Sequence, residues 1–85
     1  MPPVTVYTRA GCPFCTRALS LLRRKGAPVT EIDATGDQHK RQEMIDRSGR
    51  WTFPQIFIGE THVGGCDDLH ALDAAGRLDP LLELS

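Results

Sequence analysis

The sequence predicts an α/β fold, a small four-stranded mixed sheet with helices on both faces. Three observations predict it. Short β-branched runs alternate with helical patterns through the first half of the chain, two later apolar runs are joined by a two-residue Gly59-Glu60 turn, and Gly or Pro stands at most junctions. The predicted element order is βαβαββα. The first two strands, linked through a helix, are expected to be parallel, and the last two to form an antiparallel hairpin.

Val4-Thr5-Val6-Tyr7-Thr8 is β-branched and reads as the first strand. After the turn Arg9-Ala10-Gly11 a helix begins, with Cys12 at its N-cap and Pro13 at the first helical position, where a missing N–H costs nothing. Ala18, Leu19, Leu21 and Leu22 give this helix an apolar stripe. Arg23-Arg24-Lys25 complements the negative end of its dipole, and Gly26 and Pro28 end it. Val29 to Asp33 is the second strand. Thr35-Gly36-Asp37 opens a helix over Gln38 to Ser48, ended by Gly49, whose apolar face is thin and made mainly of Met44 and Ile45. Gln55 to Ile58 and Thr61 to Val63 are the hairpin strands, with Ile56, Phe57 and Ile58 as sheet core. Gly64-Gly65 makes a bend, a third helix runs from near Asp67 to Gly76, and the tail around Pro80 adds a last helical turn.

With 85 residues, one domain spanning 1–85 is expected. Ten basic and 11 acidic side chains leave a net charge of -1, which gives no electrostatic footing for a nucleic-acid or anionic-membrane partner. No apolar run approaches the ~20 residues that span a bilayer. Met1-Pro2-Pro3-Val4 lacks the basic start and apolar stretch of a signal peptide, so a cytoplasmic location is expected, and the chain is separately expected to be a monomer.

Of the three cysteines, Cys12 and Cys15 form C-x-x-C at a strand–helix junction, a pattern that reads as redox-active or metal-binding. The free N–H groups and positive dipole end of the helix converge on Cys12, and Arg9 stands three residues upstream. All favour the thiolate, the form that attacks a disulfide. Stabilising that anion also makes Cys12 a better leaving group from a mixed disulfide. Cys15 follows one turn later on the same face, within disulfide reach, and is the resolving thiol. Zinc is disfavoured, because Cys66, His39, His62 and His70 do not supply a second ligand pair at the usual spacing. The three histidines carry no motif and are placed by default at the surface.

The strand leading into Cys12-Pro13-Phe14-Cys15, the Thr52-Phe53-Pro54 run before a strand and Gly64-Gly65-Cys66-Asp67-Asp68 before a helix occur in an order that resembles the glutaredoxins. Together with Arg47-Ser48-Gly49-Arg50 and Pro54-Gln55-Ile56-Phe57-Ile58-Gly59, they make nearly the whole chain similar to bacterial dithiol glutaredoxins of the glutaredoxin 3 type. The resemblance implies a thioredoxin-like fold. It implies glutathione as reductant and co-substrate, with no metal, and glutathionylated or disulfide-bearing proteins as partners. It assigns Cys12 the attacking and Cys15 the resolving role. It implies a cis Pro54, with the backbone of Phe53 facing Cys12 and pairing with the glutathione cysteine beside Thr52. It implies that Gly65, Cys66 and Asp67 form the turn whose N–H groups take the γ-glutamyl carboxylate, that Asp68 takes the ammonium, and that Arg9 and Arg41 take the glycyl carboxylate.

Three positions depart from that pattern. Phe14 replaces a tyrosine, keeping the ring beside the sulfur without the hydroxyl. Arg9 replaces a lysine, and Trp51 replaces a polar residue. Plainer roles stand beside these. Arg9 and Arg41 can be solvated charges, Asp67 and Asp68 can serve as first-turn acids, and Cys66 can be a small buried side chain. Trp51 is either exposed contact surface or a lid on the core. Two other functions compete. A thioredoxin has no need of a carboxylate-binding groove and usually carries Trp-Cys-Gly-Pro-Cys. An iron–sulfur carrier of this family usually carries Cys-Gly-Phe-Ser, which Pro13 and Cys15 contradict.

Overall fold

The computed structural model describes residues 1–84. The elements are β1 (Val4–Thr8), α1 (Pro13–Arg24), β2 (Val29–Asp33), α2 (Gln38–Ser48), β3 (Gln55–Ile58), β4 (Thr61–Gly64), α3 (Cys66–Ala74) and the short α4 (Leu78–Leu81). The strands form one sheet in the order β2-β1-β3-β4. β1 pairs parallel with β2 and antiparallel with β3, and β3 pairs antiparallel with β4. This is the thioredoxin-like α/β arrangement expected from the sequence. β4 extends one residue further than expected, to Gly64, and α3 begins one residue earlier, at Cys66.

Side-chain alternation along β1 and β3 divides the core. Val4, Val6, Ile56 and Ile58 point to one face, where they meet Ala18, Leu19, Leu21 and Leu22 of α1, Leu69 of α3, and Leu78 and Leu82 at the chain's end. Burying a side chain such as Leu22 fully stabilises the fold by roughly 1.5–3 kcal/mol, so this face holds most of the apolar driving force. Lys25, at the C-cap of α1, reaches Asp73 at 2.9 Å and Asp79 at 2.8 Å and ties the end of α1 to the C-terminal helices.

Tyr7 and Phe57 point to the opposite face, where α2 covers them with Met44. Met44 is the one fully buried side chain of α2, as its thin apolar pattern predicts. Polar contacts supplement it. The Tyr7 hydroxyl donates to the Glu43 carboxylate and accepts from Arg47 at 3.0 Å, and the Arg47 guanidinium lies 4.1 Å from the Phe57 ring centroid. Asp37 caps the start of α2 by accepting from the Lys40 N–H, and Gly49 closes it at φ 70°, a conformation that favours glycine.

Candidate active site

The N-terminus of α1 emerges at the C-terminal end of β1, and the loop before β3 comes up beside it. Cys12 is the N-cap, with extended backbone (φ -109°, ψ 98°), and its Sγ accepts from the Cys15 N–H at 3.2 Å. A sulfur in this position receives a backbone donor that otherwise has no partner, together with the positive end of the helix. The sequence fixes this geometry locally, because Gly11 at φ 69° turns the chain out of β1 and Pro13 starts the helix.

Cys15 sits one turn along, 3% exposed, and neither it nor Cys12 is in a disulfide. Burial pushes the Cys15 thiol up to about 12, and the neighbouring Cys12 sulfur adds to the rise, while a backbone hydrogen bond from Arg9 opposes it. Cys15 is therefore held as a neutral thiol at neutral pH. Cys66 is also buried and reduced, and burial raises its pKa as well.

Across from Cys12, the Phe53–Pro54 peptide bond is cis, and the Phe53 carbonyl oxygen lies 3.9 Å from Cys12 Sγ. Two depressions flank this contact. One is lined by Arg9 and Arg41 with Ala10, Thr35 and Asp37, and the Arg41 guanidinium sits 5.6 Å from the Phe53 ring centroid. The other is lined by Phe14, Thr52, Phe53, Pro54, Gly65, Cys66, Asp67 and Asp68, joined by Arg50. The sequence-derived candidates thus fall into two groups on either side of the Cys12–Phe53 contact, one cationic and the other at the start of α3.

At that start Gly65 is the N-cap and Asp68 the third helical residue. The Asp68 carboxylate accepts from the Gly65 N–H at 2.9 Å and from Arg50 at 3.2 Å. The Gly65 N–H, and then Arg50, hold the Asp68 carboxyl below the usual carboxylate range. Gly64 makes room for this arrangement. Its φ is 113°, and a Cβ there would fall 2.8 Å from the Asp68 Cγ. The acid expected to meet a ligand ammonium therefore also caps its own helix.

Arg50 also lines this depression, a residue that reading the sequence does not single out. It enters that reading only within the Arg47-Ser48-Gly49-Arg50 segment of the resemblance, and its partner Asp68 lies 18 positions away. Trp51 and Phe14 are exposed, which settles Trp51 as surface and not as a lid on the core. His62, stacked on Phe57 and bonded to Gln55, and His70, bonded to the Cys66 carbonyl, are half-buried, unlike the surface positions expected for them, while His39 is exposed as expected. Among the described residues, no three His, Cys, Asp or Glu side chains gather as a metal-binding group, and no helix is long and apolar enough to cross a membrane.

A family model described as Glutaredoxin matches residues 4–63. Glutaredoxin 3 of Escherichia coli (strain K12) is 57% identical over 83 residues, covering 98% of this chain and 100% of its own. The solution structure of a glutaredoxin from Brucella melitensis is 62% identical and superposes with a TM-score of 0.84 over 96% of this chain and 89% of that one. The crystal structure of a buckwheat glutaredoxin–glutathione complex is 28% identical, with a TM-score of 0.86 over 96% of this chain and 77% of that one.

Proposed function

Since the chain belongs to the glutaredoxin family, close to its bacterial glutaredoxin 3 members, and is a thiol–disulfide oxidoreductase, we propose that glutathione is its reductant and that it reduces both glutathione mixed disulfides and protein disulfides. The observation that carries this reading is the placement of Cys12 Sγ at a helix N-terminus, opposite the Phe53 carbonyl, between a depression with two arginines and one at the start of α3. A tripeptide with a carboxylate at each end matches that layout. The glycyl carboxylate goes to Arg9 and Arg41. The cysteine backbone pairs with Phe53 beside Thr52 and Pro54, and Phe14 packs by the sulfurs. The γ-glutamyl carboxylate meets the N–H groups of Cys66 and Asp67 beyond Gly65, and Asp68 takes the ammonium. A glutaredoxin of the same fold has been solved with glutathione bound, which supports the same ligand here.

In this mechanism the Cys12 thiolate attacks the glutathione sulfur of a mixed disulfide. The protein sulfur leaves as a thiolate and takes a proton, and Cys12 now carries glutathione. A second glutathione thiolate attacks the glutathione sulfur of that adduct, which releases oxidised glutathione and restores the Cys12 thiolate. With a protein disulfide, Cys12 forms a mixed disulfide and one substrate sulfur leaves. Cys15 then loses its proton and attacks Cys12 Sγ, the second substrate sulfur leaves, and two glutathiones later reduce the Cys12–Cys15 bond. The high proton affinity of Cys15 keeps it out of the first attack. We assign the protein to the cytoplasm, where thiols are kept reduced, and to action as a monomer.

The test is glutathione-dependent reduction of a small glutathione mixed disulfide, coupled to glutathione reductase, with Cys12→Ser as control. Turnover by the wild type and none by the variant is expected. A wild type that reduces protein disulfides with dithiothreitol but not with glutathione overturns the glutathione reading.

A further inference from the structure

Gln55 is a polar side chain with 0% exposure, at the first position of β3 and directly after Pro54. A buried primary amide is costly unless its hydrogen bonds are made. Here they are. Its Nε2 donates to the Thr52 carbonyl oxygen at 3.1 Å and to Thr52 Oγ1 at 3.1 Å, and its Oε1 faces His62 Nε2 at 2.8 Å. The amide's orientation follows from its partners. The Thr52 carbonyl can only accept, so the NH2 group must face it. Oε1 is then left as an acceptor, and His62 must present Nε2–H to it. The His62 ring is itself held by stacking on Phe57, 4.9 Å between centroids and 30° between planes.

These bonds span the Thr52–Phe53–Pro54 run, whose Phe53 carbonyl stands 3.9 Å from Cys12 Sγ. Pro54 is buried and Phe53 is half-buried against the Tyr7–Met44–Phe57 cluster, but Thr52 is exposed. Packing therefore holds the run at residues 53–54, and what ties its residue 52 end down is the Gln55 amide. We propose that Gln55 is a positioning residue that sets the backbone of residues 52–53 against Cys12 for pairing with the substrate, and that His62 orients the Gln55 amide. Neither side chain touches the reacting sulfurs. A displaced Phe53 backbone pairs poorly with the substrate while leaving the Cys12 thiolate intact, so the effect falls on substrate binding and not on thiol reactivity. The inference rests on the reading of Phe53 as the substrate's backbone partner.

Gln55→Met keeps length and apolar volume without hydrogen bonds. Measured at pH 8, where the imidazole with its lowered pKa is neutral and puts no charge beside Asp68 and Arg50, His62→Phe keeps the stack on Phe57 and removes the donor to Oε1. Both are measured with a glutathionylated peptide for KM and kcat, and with iodoacetamide for the alkylation rate of free Cys12. Losing two to three buried hydrogen bonds predicts a KM raised about tenfold in Gln55→Met, and about threefold in His62→Phe where one bond is lost. In both, kcat and the alkylation rate stay within about twofold of wild type, since the thiol is untouched. If Gln55→Met does not fold, His62→Phe, altered at a half-buried edge-strand position, decides alone. An unchanged KM in the folded variants overturns the proposal, as does a KM rise matched by an equal fall in alkylation rate. A wild type that fails to turn over the glutathionylated peptide refutes the glutathione reading instead, and the same KM comparison is then made with a protein disulfide.

Discussion

Cys15 should be nearly inert towards alkylating agents even when Cys12 is absent. A thiol pushed up to about 12 is almost wholly neutral at pH 7, where an ordinary cysteine near 8.5 is already about 3% ionised, so ionisation alone slows it strongly. The first cause is burial, which Cys12→Ser leaves in place, while the hydrogen bond and charge of the neighbouring sulfur are removed. The assay is a time course of iodoacetamide labelling at pH 7, mapped by peptide mass spectrometry in the wild type and in Cys12→Ser. In the wild type Cys12 is labelled first. In the variant Cys15 still trails free cysteine by about tenfold or more. Labelling of Cys15 in Cys12→Ser at the rate of free cysteine would refute the assignment of its slowness to burial.

Three further outcomes are expected. Asp68→Asn weakens the contacts to Gly65 and Arg50, and because this carboxylate is half-exposed the cost is small, on the order of 0.5 kcal/mol. The folded carboxyl titrates below its unfolded value, so the stability it adds is full above ~3.9 and is lost as pH falls through the folded value. Urea midpoints of wild type and variant should therefore differ at pH 6 and converge in acid. Arg9→Ala and Asp68→Ala should each raise KM for a glutathionylated substrate by about 2- to 10-fold. Because the two residues line separate depressions, their effects in the double variant should be close to additive, whereas Arg9 and Arg41, sharing one depression, should not be. Met44→Ala should destabilise the fold by about 2–4 kcal/mol in chemical denaturation, since no other side chain of α2 is fully buried.

The elements that sequence reading placed well are those with local causes. Cys12 at the N-cap and Pro13 behind it specify the start of α1 within two residues, and Gly26 and Gly49 end α1 and α2 through conformations that favour glycine. Ile56, Phe57 and Ile58 were legible as sheet core, but the division of that core between two faces, with Ile56 and Ile58 on one and Phe57 on the other, came only with the fold. What escaped is non-local. Arg50 joins the site only because the turn at Gly64 brings Asp68 to it from 18 residues away. Gln55 reads as an ordinary strand residue until the fold buries it between Thr52 and His62. His62, with no motif around it, is partly buried because β4 lays it against Phe57. Strand alternation indicates which face a residue takes, but not which polar partner waits there.

The division of labour between the two cysteines is tested most directly by assaying Cys12→Ser and Cys15→Ser against two substrates, a glutathionylated peptide and a protein disulfide, with glutathione as reductant. Cys12→Ser should be inactive on both, because no other thiol occupies the N-cap of α1. Cys15→Ser should retain turnover of the glutathionylated peptide and lose reduction of the protein disulfide. A Cys12→Ser protein that still turns over either substrate, or a folded Cys15→Ser protein that has lost both, would contradict the account.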